Sequence, residues 1–283
     1  MMIANKRFIG VAAGLLTVLL ILAACSASQP STTGNTTTPS LKLQVNVALK
    51  HAPVGTSSLI WDAKTMALTV KVTMSGLAPS STHPEHIHAG NCNSDGAIIY
   101  TLAPLVANSQ GVGTSETTIK QVKGGIPASG WYVNVHNGPQ LSSTLQMTPI
   151  ACGNVTNTQK LTSITVPLVG TSSANQNVTG NTQLSLDNNK LIVTITLSGL
   201  APHSTHIAHI HSGSCAAQGA VIYPLRPIVA NASGTGTSTT TINKITTIPQ
   251  SGWYVNIHQG ATMGDLGTQT GFDPIACGNV VIN

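Results

Sequence analysis

Apolar and polar residues alternate along much of this chain with a period of two. Leu41 to Leu49 alternates in this way, and so does Ala67 to Met74. That period sends successive side chains to opposite faces, so each stretch reads as a half-buried β-strand. Ala97 to Leu102, Gly113 to Ile119, Trp131 to His136 and Ile150 to Val155 are further strand candidates, separated by Gly, Pro, Asn and Ser turns. Beyond an apolar run near the N-terminus, no segment carries a 3.6-residue period. About seven or eight short strands in about 115 residues predict a Greek-key sandwich or a flattened barrel.

The pattern occurs twice. His83, His86, His88 and Cys92 are matched 123 positions later by His206, His209, His211 and Cys215. Gly130-Trp131-Tyr132-Val133-Asn134-Val135-His136 returns as Gly252-Trp253-Tyr254-Val255-Asn256-Ile257-His258, and Pro149-Ile150-Ala151-Cys152-Gly153-Asn154-Val155 as Pro274-Ile275-Ala276-Cys277-Gly278-Asn279-Val280. A period near 120 residues is too long for a solenoid and marks a duplicated domain. The expected division is a first domain over 41–157 and a second over 158–283. The predicted fold class is therefore all-β, with two tandem Greek-key domains.

Composition changes the picture chiefly at the N-terminus. Lys6 and Arg7 precede an apolar run from Phe8 to Ala24, which ends in Leu22-Ala23-Ala24-Cys25. Residues 1–25 read as an export signal, and the terminal cysteine resembles the bacterial lipoprotein box, in which that residue is lipidated. An uncleaved membrane anchor is the alternative, although 17 apolar residues is the lower limit of a span. Residues 26–40 are uncharged and of low complexity, as in a flexible linker. The expectation is an exported protein, lipid-anchored through Cys25 on the outer face of a bacterial membrane. The formal charge is +5, falling to +3 once Lys6 and Arg7 are removed, with no basic run and no interleaved aromatics. Nucleic acid is not an expected partner.

Cys25 leaves four other cysteines, Cys92, Cys152, Cys215 and Cys277. An even set in an exported chain implies disulfides. Four cysteines allow three pairings, and the repeat favours one bond within each copy. A bond closing a loop of about 60 residues stabilises by roughly 4 kcal/mol on the chain-entropy account.

The histidines carry the candidate chemistry. Each repeat has H-x-x-H-x-H after a Gly-Leu-Ala-Pro turn. On a strand His86 and His88 share a face, as do His209 and His211, and two imidazoles side by side suit a metal ion. Neither a Ser-His-Asp set nor a Gly-rich phosphate loop recurs, so hydrolase and nucleotide chemistry find no support.

Taken in order, three motifs resemble the copper/zinc superoxide dismutases. They are Gly76-Leu77 running into His83, His86 and His88, then Val135-His136, then Ala151-Cys152-Gly153. The chain is also similar to the chordin-type (CHRD) domain, whose Tyr-Val-Asn-Val-His strand matches Tyr132 to His136. The dismutase resemblance implies a Cys92–Cys152 bond and copper ligands at His86, His88 and His136. In the second copy it implies His209, His211 and His258. It gives His83 and His206 a supporting role. The sequence departs from that family too: residues 93–130 and 216–252 hold no histidine, and no arginine or lysine lies between His136 and Cys152 or between His258 and Cys277. The family's bridging histidine, zinc site and guiding arginine are therefore not expected.

Three functional readings follow. The first is a lipid-anchored protein binding copper through three histidines per domain, with zinc or nickel as metals that also accept imidazole. The second is a non-catalytic envelope or adhesion scaffold whose histidines are relics. The third is a copper-only superoxide dismutase. No catalytic residue is assigned, because fold does not dictate function.

Overall fold

The computed structural model describes residues 42–94 and 96–282. The expected signal 1–25 with Cys25, the linker 26–40 and Leu41 lie outside them. The first repeat opens with β1 (Leu43–Leu49), β2 (Val54–Asp62), β3 (Ala67–Ser75), β4 (Thr82–His83) and β5 (Glu85–Ala89). It continues with β6 (Ile98–Thr101), β7 (Leu105–Val106), β8 (Gly113–Ile119) and β9 (Trp131–His136). A single helical turn, α1 (Thr144–Met147), then precedes β10 (Pro149–Asn154). The second repeat runs through β11 (Ser163–Leu168), β12 (Thr179–Asp187), β13 (Lys190–Ser198), β14 (Thr205–His206) and β15 (Ala208–Ser214). It ends with β16 (Ala217–Pro224), β17 (Ile228–Val229), β18 (Gly236–Asn243), β19 (Trp253–His258), the turn α2 (Gln269–Phe272) and β20 (Pro274–Val280).

The fold is all-β and double, as expected. Two four-stranded sheets, in the orders β11-β2-β3-β8 and β10-β9-β5-β6, face each other across one core. The sheets β1-β12-β13-β18 and β16-β15-β19-β20 form the second sandwich. The alternating residues deliver this packing directly. On β3, Leu68, Val70, Val72 and Met74 are buried between sheets, while Lys71 and Thr73 face solvent. Disulfides join Cys92 to Cys152 and Cys215 to Cys277, one within each repeat.

The first strands are exchanged. β1 pairs with β12 over its whole length, Leu43 opposite Leu186 and Leu49 opposite Gly180, so it completes a sheet of the second sandwich. β11 pairs in turn with β2 of the first sandwich, Ser163 opposite Ile60 and Leu168 opposite Gly55. Val45, Val47 and Leu49 accordingly lie in the second core, and Val166 and Leu168 in the first. The sequence boundary near residue 157 separates the repeats as text but does not separate the sheets.

Side chains also cross between the repeats. The Gln218 Nε2 donates to the Leu77 carbonyl at 2.6 Å. Gln269 accepts from the Thr82 amide at 2.9 Å and donates to the carbonyls of Thr82 and Asn137, each at 2.7 Å. The Ala78 amide donates to Asp273 Oδ1 at 2.8 Å. Asp273 is buried with its second oxygen unpartnered, and burial pushes its carboxyl up to about 8.

Two outcomes are expected. Deleting residues 42–49 removes three buried aliphatic side chains, each stabilising by roughly 1.5–3 kcal/mol. Amide exchange should then lose protection in β12, β13 and β18 and keep it in β2, β3 and β8; the opposite pattern would refute the exchange. Asp273 is protonated when folded and ionised when unfolded between about 4 and about 8, so it makes stability fall as pH rises across that window. Asp273→Asn should flatten part of that slope in urea titrations and gain most over the parent near pH 8. An unchanged slope would rule out the burial argument.

Candidate metal centre

The pairing of β5 with β9 sets the site. Glu85 lies opposite Val135 and Ile87 opposite Val133, and these side chains point between the sheets. His86 lies opposite Asn134 and His88 opposite Tyr132, on the other face. His136 closes β9, beside an irregularity in its pairing with β10. β15 and β19 repeat the arrangement, with His209 opposite Asn256 and His211 opposite Tyr254. In each repeat the three nitrogens, from His86, His88 and His136 or from His209, His211 and His258, lie within 4.8 Å of one another.

Backbone carbonyls select the tautomers. The Nδ1 of His88 lies 2.9 Å from the Gly96 carbonyl, and that of His136 lies 2.7 Å from the Met147 carbonyl. A carbonyl only accepts, so each Nδ1 carries the hydrogen and each Nε2 is left as an acceptor, that of His136 lying 3.3 Å from Asn134 Nδ2. The second repeat does the same through Gly219 for His211, at 3.0 Å, and Phe272 for His258, at 2.6 Å. Side chains at Gly96 or Gly219 would run into the carbonyls of Ala89 or Ser212, so only glycine brings these acceptors close enough. The remaining ring nitrogens converge. His86 Nδ1 faces His136 Nε2 at 3.2 Å, and His209 Nδ1 faces His258 Nε2 at 3.2 Å. The Nε2 atoms of His88 and His211 are buried with no partner.

One hydrogen can bridge each facing pair, but the third nitrogen is left orphaned, and a cation among the three would engage them all. Burial, and then the neighbouring imidazoles, lower His86 and His209 to about 4. Burial lowers His258 to about 3, and it also lowers His136 and His211. These five rings are therefore neutral at neutral pH, the form that ligates metal. Tyr132 stacks on His88 at 4.9 Å between ring centres, and Tyr254 on His211 at 5.0 Å. The tyrosines thus wall the triads as well as packing the sheet.

His83 and His206 stand outside the triads and brace them. The His83 Nδ1 donates to the His136 carbonyl at 2.8 Å, while its Nε2 accepts from Ser81 Oγ at 2.7 Å. His206 makes the same pair of bonds, to His258 and Ser204. The remaining histidines do not join: His51 bonds the Ile150 carbonyl and His203 is exposed. The carbonyl partners at Gly96, Met147, Gly219 and Phe272 were not predictable from the histidine spacing, because main-chain acceptors leave no side-chain signature. Glu85 is a further surprise. It is fully buried, accepts from Ser115 Oγ at 2.6 Å, and burial raises it to about 8, whereas the second repeat has Ala208 there.

Comparison with known families finds the same duplication. The sequence model of the CHRD domain matches residues 30–140 and again 160–264, together more than half of the chain. The protein belongs to the CHRD domain family, with two tandem copies. All six triad histidines fall inside the matched segments, and the second match includes β11, the strand that the structure places in the first sandwich. No curated protein matches the chain.

Removing a brace should cost stability without removing a ligand. His83→Ala leaves the Ser81 hydroxyl and the His136 carbonyl without their buried partner, a loss of about 1–3 kcal/mol. Urea unfolding should show it as a lower midpoint, and an unchanged midpoint would remove His83 from the supporting role.

Proposed function

We propose that each CHRD repeat binds one copper ion, through His86, His88 and His136 in the first and His209, His211 and His258 in the second. The observation that carries this reading is the buried, unpartnered Nε2 of His88 and of His211, within 4.8 Å of a nitrogen of each of two other imidazoles. An orphaned buried acceptor is costly unless something occupies it. Three neutral imidazoles suit copper in both of its oxidation states, and zinc or nickel compete for the same donors. The hydrogen bonds from each Nδ1 to a carbonyl supply the outer shell that orients such ligands.

The reading is metal holding rather than turnover. The sequence supplies no histidine for a bridging position and no arginine or lysine between the third ligand and the last cysteine of either repeat. Positive focusing of that kind is what raises the encounter rate with a small anion. The Lys6-Arg7 segment, the apolar run and Cys25 support export and lipid anchoring, which would hold both sites at the outer face of a membrane.

Titration of chelator-free protein with Cu(II) tests the proposal. Binding should saturate near two ions per chain, one per triad. His86→Ala or His209→Ala should each lower it to near one, and the double variant should abolish it. Saturable binding that survives in the double variant, or no binding by the parent, would overturn the assignment. Metal analysis of the protein as purified then identifies the ion it carries.

A further inference from the structure

We infer that the two triads differ in access: the first is open to exchange, and the second is sealed by a cover that the first repeat clamps shut. The inference rests on the metal reading above and deepens it. The ligands are the same in both repeats, but their exposure is not. His86, His88 and His136 retain 6%, 8% and 7% of their surface, whereas His209, His211 and His258 retain 2%, 1% and 0%.

The cover is α2. Its last residue, Phe272, places its ring 4.8 Å from that of His258 and takes the His258 Nδ1 hydrogen on its carbonyl. The equivalent residue of the first repeat, Met147, supplies the same carbonyl to His136, but its side chain is 49% exposed. Phe272 thus packs on a ring of its triad, while Met147 turns largely to solvent.

The clamp is on the far side of the same turn. Gln269 spans to the first repeat with three hydrogen bonds, to the Thr82 amide and to the carbonyls of Thr82 and Asn137. Asp273, immediately after α2, receives the Ala78 amide. Asn137 Nδ2 also donates to the Thr270 carbonyl at 3.4 Å, so five bonds hold α2 and its flank from outside its own repeat. Thr144 and Leu145 of α1 are exposed, and among the described residues every hydrogen bond of 142–148 stays inside the first repeat. Opening a buried site requires the cover to move, and local opening is slower and rarer the more contacts must break together. Lifting α1 breaks local bonds only. Lifting α2 must also break the contact between repeats.

Release kinetics test this. Protein loaded with two Cu(II) ions is mixed with excess EDTA, and the visible copper band is followed. Release should occur in two phases of equal amplitude, separated by about tenfold or more, equivalent to at least about 1.4 kcal/mol in barrier height. His209→Ala/His211→Ala should leave only the fast phase, and His86→Ala/His88→Ala only the slow one. Gln269→Ala, which removes no ligand, should speed the slow phase about tenfold, bringing it toward the fast one. Phe272→Met, which gives the second site the first site's residue, should do the same if Gln269→Ala proves poorly folded. Two bound ions leaving at one rate, or a slow phase indifferent to both variants, would overturn the cover. A chain that binds no copper overturns the proposed function as well, so the two failures are told apart by the stoichiometry before EDTA is added.

Discussion

The antiparallel pairing of β5 with β9, and of β15 with β19, is the constraint on which the rest of the molecule depends. Strand residues alternate between faces, so one register commits both faces at once. With Ile87 opposite Val133 in the core, His86 and His88 are forced to the outer face beside Tyr132 and Asn134. A slip of one residue would carry the imidazoles into the sandwich and the isoleucine out. The apolar core and the histidine site are therefore held by the same hydrogen bonds, and neither can be shifted without the other.

The exchange of β1 and β11 makes the two sandwiches one cooperative body. Each core contains aliphatic side chains from the other repeat, Val45, Val47 and Leu49 in one and Val166 and Leu168 in the other. The exchanged strands run on to the disulfides. Lys50 bridges to Cys277 and Val169 to Cys152, so the end of each foreign strand lies against the covalent link of the sandwich it completes. Two repeats related only by a linker would be free to move independently. These share sheets.

Much of this was legible in the sequence, and what was not has definite physical reasons. Clean alternation marked β1 and β3, because each has one apolar and one polar face. β2 escaped, since its inward positions include Ser57, a buried hydroxyl that breaks the pattern. The exchange was invisible because β1 and β11 carry the same alternation and would satisfy either sheet. The histidine triads were readable as spacing plus a repeated distant strand. Their hydrogen-bond partners were not, because carbonyls of Gly96, Met147, Gly219 and Phe272 act through the main chain. Glu85, which has Ala208 as its counterpart, carried no signal of its own, and the structure places its carboxyl between the sheets.

Duplication gives two copies of one site, and the contacts between copies then make them unlike. The turn before each histidine strand shows how. In the second repeat the Ala201 amide is satisfied from nearby in its own repeat, by Asn175 Oδ1 at 2.7 Å. In the first repeat the equivalent Ala78 amide is satisfied by Asp273 from the other repeat. A buried amide must find an acceptor, and once it finds one across the interface the donor segment is no longer free to move. The turn that serves the first triad is thus tied to the segment that covers the second. An interface formed to satisfy one backbone group restrains α2, while α1, with no such debt to its neighbour, stays exposed. Identical ligands in a duplicated chain therefore need not have identical chemistry, because access is set by residues outside the motif that was duplicated.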